Sequence, residues 1–395
     1  MKYIVIIGDG MADFPLEELD GKTPLMTARK PHMDLMASKG FCGKVLTIPP
    51  GFPTGSDVAC MSIFGYDPAK HYTGRAPIEA AGIGIPMSEG EIAFRCNLVN
   101  LEIRGPRVLM VDYSAGHITT DEANVLISDL NDTFGSEEIH FFQGISYRHI
   151  MMWEDGVSDM DTTPPHDILD RDIADYMPSG TGSERLIKLM SDSQILLSGH
   201  PVNKARIEKG LKPANSIWLW GQGRKPAFPE FKEKYGCDGA VVTAVDLVRG
   251  IGNLIGFETP RIEGATGYFD TDYNAKACAA LELLERHDIV YIHVEAPDEA
   301  SHAGSVQEKI RAIERIDEDI VGFLLERAPK DTSFLLATDH ATPIVMRTHY
   351  ACPVPFAIYQ AGSAQAGAGC RYDENAGDGE LSGEELVHLF LKGKG

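Results

Sequence analysis

Apolar residues run unbroken over positions 3–7 and stop at Gly8-Asp9-Gly10. The same device recurs at 289–294, shortly before Asp298, and at 333–338, directly before Asp339. Short β-branched runs without polar alternation predict strands buried on both faces, as in a parallel sheet. Between the last two runs, Ile310, Ile313, Ile316, Ile320 and Leu324 recur at helical spacing within 306–327, with charged residues between them. That spacing predicts an amphipathic crossover helix. Strand, helix and strand, followed by another apolar run at 354–359, specify an α/β fold with a mostly parallel sheet flanked by helices on both faces.

The middle of the chain has a different texture. Residues 91–100, 107–112 and 146–152 alternate like strands, and 120–130 repeats like a helix. We read 85–210 as an inserted α+β domain within a larger domain formed by 1–84 and 211–395. A length of 395 residues fits two domains, each able to bury its own core.

Composition narrows the function classes. With 43% hydrophobic and 24% charged residues and a mean hydropathy of -0.14, the chain reads as an ordinary globular protein with no membrane partner. The apolar run after Lys2 is too short for a signal peptide. Seven cysteines, an odd number without a Cys-x-x-Cys pair, read as thiols of a reducing compartment, so a cytoplasmic location is expected. A formal net charge of -22 repels phosphate backbones and anionic lipid, which excludes nucleic acid as a partner. A small anionic substrate would need local cations, either clustered arginines or bound divalent metals.

In open α/β sheets, ligands bind beyond the carboxyl ends of the strands, so polar residues just past several strands are expected to converge. Asp9, Asp298 with His302, the adjacent Asp339-His340, and His349 fit that expectation. Asp298 and His302, four apart, share one side of a helical turn, a chelating arrangement. The neighbours Asp339 and His340 diverge instead, which suits two ions taking ligands from different segments. Pro53-Thr54-Gly55-Ser56-Asp57 precedes a helical run at 58–64, so Ser56 lies at a helix start, where amide groups and the helix dipole favour an anionic oxygen. Taken singly, Ser56 also reads as an N-cap and Gly8-Asp9-Gly10 as a turn.

Longer motifs are more specific. Thr54-Gly55-Ser56-Asp57, Gly65-Tyr66-Asp67-Pro68, Tyr72-Thr73-Gly74-Arg75-Ala76-Pro77, Ser114-Ala115-Gly116-His117, Pro213-Ala214-Asn215-Ser216, Gly264-Ala265-Thr266-Gly267-Tyr268, Thr338-Asp339-His340 and the segment 349–355 resemble the motif series of cofactor-independent phosphoglycerate mutase, archaeal type, in the alkaline phosphatase superfamily. The resemblance implies an alkaline phosphatase-like fold and an isomerase interconverting 2-phosphoglycerate and 3-phosphoglycerate through a phosphoserine at Ser56, without 2,3-bisphosphoglycerate. It further implies two divalent ions, usually Mn2+ with Zn2+, Co2+ or Mg2+ as substitutes. One would be held by Asp298, His302 and His349, the other by Asp9, Asp339, His340 and the Ser56 oxygen. The inserted domain would bind a small phosphorylated hydroxy acid, with His117, Arg148, His149, Arg224 and Arg249 as candidates because forked guanidinium donors suit phosphate and carboxylate.

Two positions depart from the family pattern: Ser301 replaces a usual glycine, and His117 stands where many archaeal members carry arginine. The sequence is also similar to a bacterial subgroup proposed to act as homoserine kinases, which gives a metal-dependent phosphotransferase as the alternative. The chain has no Gly-x-x-x-x-Gly-Lys-Ser/Thr phosphate loop.

Overall fold

The strand Lys2–Gly8, six of whose seven residues are buried, lies inside a seven-stranded sheet. Its spatial order is Gly239–Val242, Ile289–Val294, Lys2–Gly8, Thr332–Thr338, Val354–Gln360, Phe41–Leu46 and Glu380–Ser382. Only Val354–Gln360 runs antiparallel to its neighbours. The computed structural model describes residues 1–360, 369–377 and 379–392. Among these residues, no helix is long and apolar enough to cross a membrane.

Strand register sets which residues meet at the carboxyl edge of the sheet. Gly8 pairs with Val294 on one side and Thr338 on the other, so residues 9, 295 and 339 leave the sheet side by side. Isoleucine and valine runs fill both faces of these strands, and Ile4, Ile6, Val290, Ile292, Phe334 and Leu336 belong to one buried cluster. The expected crossover helix is present over 306–327, with α-helical ends, Val306–Arg315 and Phe323–Arg327, around a π-helical stretch, Ile316–Gly322. Ile313, Ile316, Ile320 and Leu324 are fully buried in the same cluster. Asp317, in the π-helical stretch, accepts hydrogen bonds from the backbone N–H groups of Met33 at 2.7 Å and His32 at 3.3 Å. It thereby caps the helix Pro31–Lys39, whose own N-cap residue supplies no side-chain bond.

The chain divides into two units, Met1–Tyr72 with Phe228–Gly395, and Thr73–Ala227. The second unit carries an antiparallel sheet in which Ile92–Arg104 pairs with Arg107–Asp112, Arg148–Trp153 and Ser216–Arg224, and Ile139–Ile145 adds to the edge. Its edges differ from the 85–210 read from sequence. The strand Ser216–Arg224 belongs to this sheet, and in the helix Arg75–Gly82, Ala76 and Ala80 pack on Ala93, Ile150 and Met152. Segments 73–84 and 211–227 are therefore part of this unit.

The cysteine reading is corrected at one pair. Cys42 and Cys370 form a disulfide in the structure, whereas Cys60, Cys96, Cys237, Cys278 and Cys352 are free. Sequence distance hid the pair, since 328 positions separate the two cysteines.

Candidate metal centre and catalytic serine

The loop leaving Lys2–Gly8 turns sharply at Gly10, whose φ of 62° is left-handed. A side chain there would strain the backbone, and its Cβ would lie 2.6 Å from both Asp298 Oδ1 and Thr342 Oγ1. Glycine lets the Asp9 loop pass directly against the Asp298 carboxylate. The Gly10 N–H donates to Asp339 Oδ1 at 3.0 Å, which fixes the loops after two adjacent strands to each other. Asp298 and His302 sit on the helix Ala296–His302, with Asp298 Oδ2 3.0 Å from His302 Nε2, as their spacing predicts.

Three imidazoles share one orientation. His302 Nδ1 is 2.9 Å from the carbonyl of Arg347, and His349 Nδ1 is 3.2 Å from the carbonyl of Thr54. A carbonyl can only accept, so each Nδ1 carries the proton. Thr342 Oγ1 donates to Asp298 Oδ1 at 2.5 Å, which leaves it to accept from His340 Nδ1 at 3.1 Å. With Nδ1 tied in this way, each of the three rings aims its Nε2 inward. His302 Nε2 and His349 Nε2 are 3.1 Å apart, and His349 Nε2 lies 3.7 Å from Asp298 Oδ2. His340 Nε2 lies 3.1 Å from Ser56 Oγ, 3.3 Å from Asp339 Oδ2 and 3.5 Å from Asp9 Oδ1. Imidazoles tied at Nδ1 and aimed through Nε2 at carboxylates have the form of metal ligands with their outer hydrogen bonds in place.

Ser56 opens the helix Ser56–Ile63, but Gly55 is the N-cap, and the first-turn Val58 N–H donates to Asp57 Oδ1 at 3.0 Å. The hydroxyl is thus free of the capping role and faces His340 instead.

Electrostatics divide the cluster. Burial pushes the Asp9 carboxyl well above its usual range, with Asp339 and Asp298 adding repulsion, and neither Asp9 oxygen has a hydrogen-bond partner. Burial also opposes the charge on Asp298, but His349 and the hydrogen bond from His302 outweigh it and hold that carboxyl well below the usual range. His302, despite burial, is raised to about 9 by Asp298, while burial lowers His340 to about 4. Three carboxylates that converge in a buried space, faced by inward-directed Nε2 atoms, suit divalent cations. Groups of potential ligand atoms within 4.8 Å of one another include Asp298, His340 and His349, and Asp9, Asp339 and His340.

Three further residues join the cluster without having been singled out from sequence. Cys60 Sγ is 3.7 Å from Asp339 Oδ2, and His293 and Glu295 fall within ligand distance of Asp9. A histidine inside an otherwise apolar strand, Ile289–Val294, followed directly by an acid, was the available signal.

The substrate-binding candidates separate. Arg148 is exposed, with its guanidinium 5.3 Å from the Tyr147 ring centre, and exposed His117 packs edge-on to the same ring at 6.2 Å. His149 is 1% exposed, accepts from the Gly144 N–H through Nδ1 at 3.0 Å, and is lowered by burial to about 3, so it is a neutral interior residue. Arg148 lies opposite Asn97, and Arg224 opposite Ile92. Five residues of extended strand separate them by about 17 Å along the strand direction, and Ile92–Arg104 lies between their two strands. Arg249, in the other unit, is 5% exposed and donates to the carbonyls of Thr243, Thr259 and Pro260 at 2.9–3.3 Å. Its guanidinium is committed to loop carbonyls, as its forked donors allow.

A different cationic group forms around buried Glu79. Arg75 Nε donates to Glu79 Oε1 at 2.7 Å, Arg95 pairs with the same oxygen, and Arg148 contributes to the same field. Arg95 and Arg75 also lie over Trp220, at 5.1 and 5.8 Å from the ring centre. Three guanidiniums against one carboxylate leave a local positive excess in a strongly acidic chain. Arg75 and Arg95 lay within segments read from sequence only as motif and strand.

Comparison with known proteins identifies the family. A family model described as 2,3-bisphosphoglycerate-independent phosphoglycerate mutase matches residues 37–203. The chain is 46% identical over 402 residues, covering all of both chains, to the 2,3-bisphosphoglycerate-independent phosphoglycerate mutase of Methanosarcina barkeri. It superposes with a TM-score of 0.83 on a protein from Pyrococcus horikoshii, at 31% identity over 99% of this chain and 96% of that one. Against the cofactor-independent phosphoglycerate mutase of Thermoplasma acidophilum the TM-score is 0.65, with 25% identity and both chains fully covered. The full-length match at this identity and the shared fold place the chain in the 2,3-bisphosphoglycerate-independent phosphoglycerate mutase family.

Proposed function

We propose that the chain is an isomerase that moves a phosphoryl group between the 2- and 3-hydroxyls of glycerate by way of Ser56. The observation that carries the reading is the convergence of three inward Nε2 atoms and three carboxylates beside the Ser56 hydroxyl.

The donor set fits divalent metals. Asp9 has two buried oxygens without hydrogen-bond partners, and each of the three histidines is fixed at Nδ1. Asp298, His302 and His349 would hold one ion; Asp9, Asp339, His340 and Ser56 Oγ would hold the other. Such ions, when bound, lower the pKa of a serine hydroxyl and neutralise phosphoryl oxygens. Mn2+ is the ion we propose, with Zn2+, Co2+ and Mg2+ as competitors, since imidazole with carboxylate suits borderline cations.

The chain's own residues supply position. The first turn of Ser56–Ile63 presents N–H groups and the positive end of a helix to the oxygen that becomes esterified. In the first half-reaction the Ser56 Oγ–phosphorus bond forms as the substrate oxygen–phosphorus bond breaks. In the second, the other glycerate hydroxyl takes the group back, and Ser56 is regenerated. We assign recognition of the substrate's anionic groups to the Arg75, Arg95 and Arg148 group, and retain His117 and Arg224 as outlying contacts. A cytoplasmic setting accords with a small phosphorylated substrate.

The homoserine phosphotransferase alternative is disfavoured, because the named relatives are phosphoglycerate mutases. The test is 31P NMR of the Mn2+-loaded protein with 3-phosphoglycerate, and separately with homoserine and ATP. Conversion to 2-phosphoglycerate supports the proposal; phosphohomoserine without isomerisation refutes it.

A further inference from the structure

Tyr72 grips both ends of the loop that carries Ser56. Its hydroxyl donates to Asp57 Oδ2 at 2.6 Å, and its ring packs edge-on to Phe52 with 6.2 Å between centres. Phe52 and Tyr72 lie against buried Ile48, Val58 and Ala59 in a small apolar cluster, so the ring is anchored independently of the hydroxyl. The grip spans 52–57, with Ser56 inside it.

Asp57 follows Ser56 directly and is 4% exposed. A carboxylate there is costly, because it is buried and its charge stands one residue from the oxygen that receives a phosphoryl group. Both of its oxygens are committed: Oδ1 accepts the Val58 N–H at 3.0 Å, and Oδ2 accepts the Tyr72 hydroxyl. At 2.6 Å the second has the length of a charge-assisted bond from a hydroxyl to a carboxylate, the stronger kind. Together the two bonds fix the first turn of Ser56–Ile63, and with it the direction of Ser56 Oγ, 3.1 Å from His340 Nε2. The same loop offers the Thr54 carbonyl to His349 Nδ1 at 3.2 Å. Tyr72 and Asp57 have no part in the two-ion scheme itself.

We propose that Tyr72 is a positioning residue for the nucleophile, acting through Asp57 to hold Ser56 Oγ in its attacking orientation. Tyr72→Phe keeps the ring against Phe52 and removes only the bond to Asp57, which frees the first helical turn to shift. A misplacement of about 1 Å at a reacting atom costs up to about a hundred-fold in rate. The inference rests on Ser56 as the nucleophile and adds the means by which it is aimed.

The test is steady-state kinetics at saturating Mn2+ for wild type, Tyr72→Phe, Asp57→Ala and the double variant, together with hydrogen exchange of the chelator-stripped proteins. Tyr72→Phe is expected to lower kcat about ten- to a hundred-fold with KM within about two-fold of wild type. The double variant is expected to be no slower than Asp57→Ala, since the two residues act as one unit. In the stripped proteins, exchange over 52–60 should quicken in Tyr72→Phe while the buried strand Thr332–Thr338 keeps its wild-type protection. Circular dichroism melts identify a variant that has failed to fold. Asp57→Ala, with the same loss of kcat expected, provides the check if Tyr72→Phe does so. Wild-type kcat in Tyr72→Phe, additive losses in the double variant, or exchange that quickens throughout the chain overturns the positioning role while leaving Ser56 as the nucleophile. Full turnover in Ser56→Ala overturns the reading on which it rests.

Discussion

Replacing Lys309 by methionine is expected to destabilise the unit that carries the metal centre by about 5–7 kcal/mol. The Lys309 and Asp13 side chains are both fully buried, with Nζ 2.8 Å from Asp13 Oδ2. The same ammonium donates to the carbonyls of Thr342 at 2.9 Å and Ala12 at 3.2 Å. It therefore ties the segment just after Asp9 to the segment just after His340. Methionine nearly preserves the volume but leaves Asp13 as a buried charge without its cation, which costs about 3–5 kcal/mol. Two carbonyls also lose a donor, at about 1 kcal/mol each. For a unit of this size, about 2–4 °C of melting temperature accompanies each kcal/mol, so a decrease of about 10–28 °C is expected in thermal unfolding of the chelated protein. Adding Asp13→Asn should recover part of the loss, because the amide oxygen can still accept the Ile344 N–H without carrying a charge. A single variant melting within about 2 °C of wild type, or a double variant no more stable than the single, would refute the assignment of this pair as the clasp of the site.

Ser56→Ala should reduce isomerisation by about ten-thousand-fold or more, with unchanged Mn2+ content at the Asp298 site, because a nucleophile has no substitute; a coupled mutase assay with near-normal turnover would remove Ser56 from the mechanism. Arg75→Met should raise KM by about ten- to a hundred-fold through loss of a charge-assisted contact, while Glu79 remains paired with Arg95; an unchanged KM would detach this group from substrate recognition. In chelated protein, His302 is raised to about 9 by Asp298, so the stability it contributes is fully present below its unfolded value near 6.5. That contribution is lost as pH rises through 9, and melts of wild type against His302→Gln should converge over this interval; a gap that widens with pH would reverse the sign and contradict the pairing.

The strand ends and the periodic helix at 306–327 were legible in the sequence because buried parallel strands and amphipathic helices each impose a local pattern of residue types. The same logic singled out Asp9, Asp298, His302, Asp339, His340 and His349 as candidates past strand ends, and Ser56 as a candidate at a helix start, all of which the fold brings together. Local pattern could not reveal register. That Gly8, Val294 and Thr338 lie abreast, bringing His293 and Glu295 beside Asp9, results from hydrogen bonding between strands nearly 300 and more than 300 positions from the first. Nor could it distinguish an arginine that meets anions from one already spent. Arg249 is consumed by three loop carbonyls, His149 by the interior of a strand, and Arg75 with Arg95 by a shared carboxylate that leaves positive charge over. Residue type fixes which contacts a side chain can make, but only the folded chain decides which of those partners come within reach.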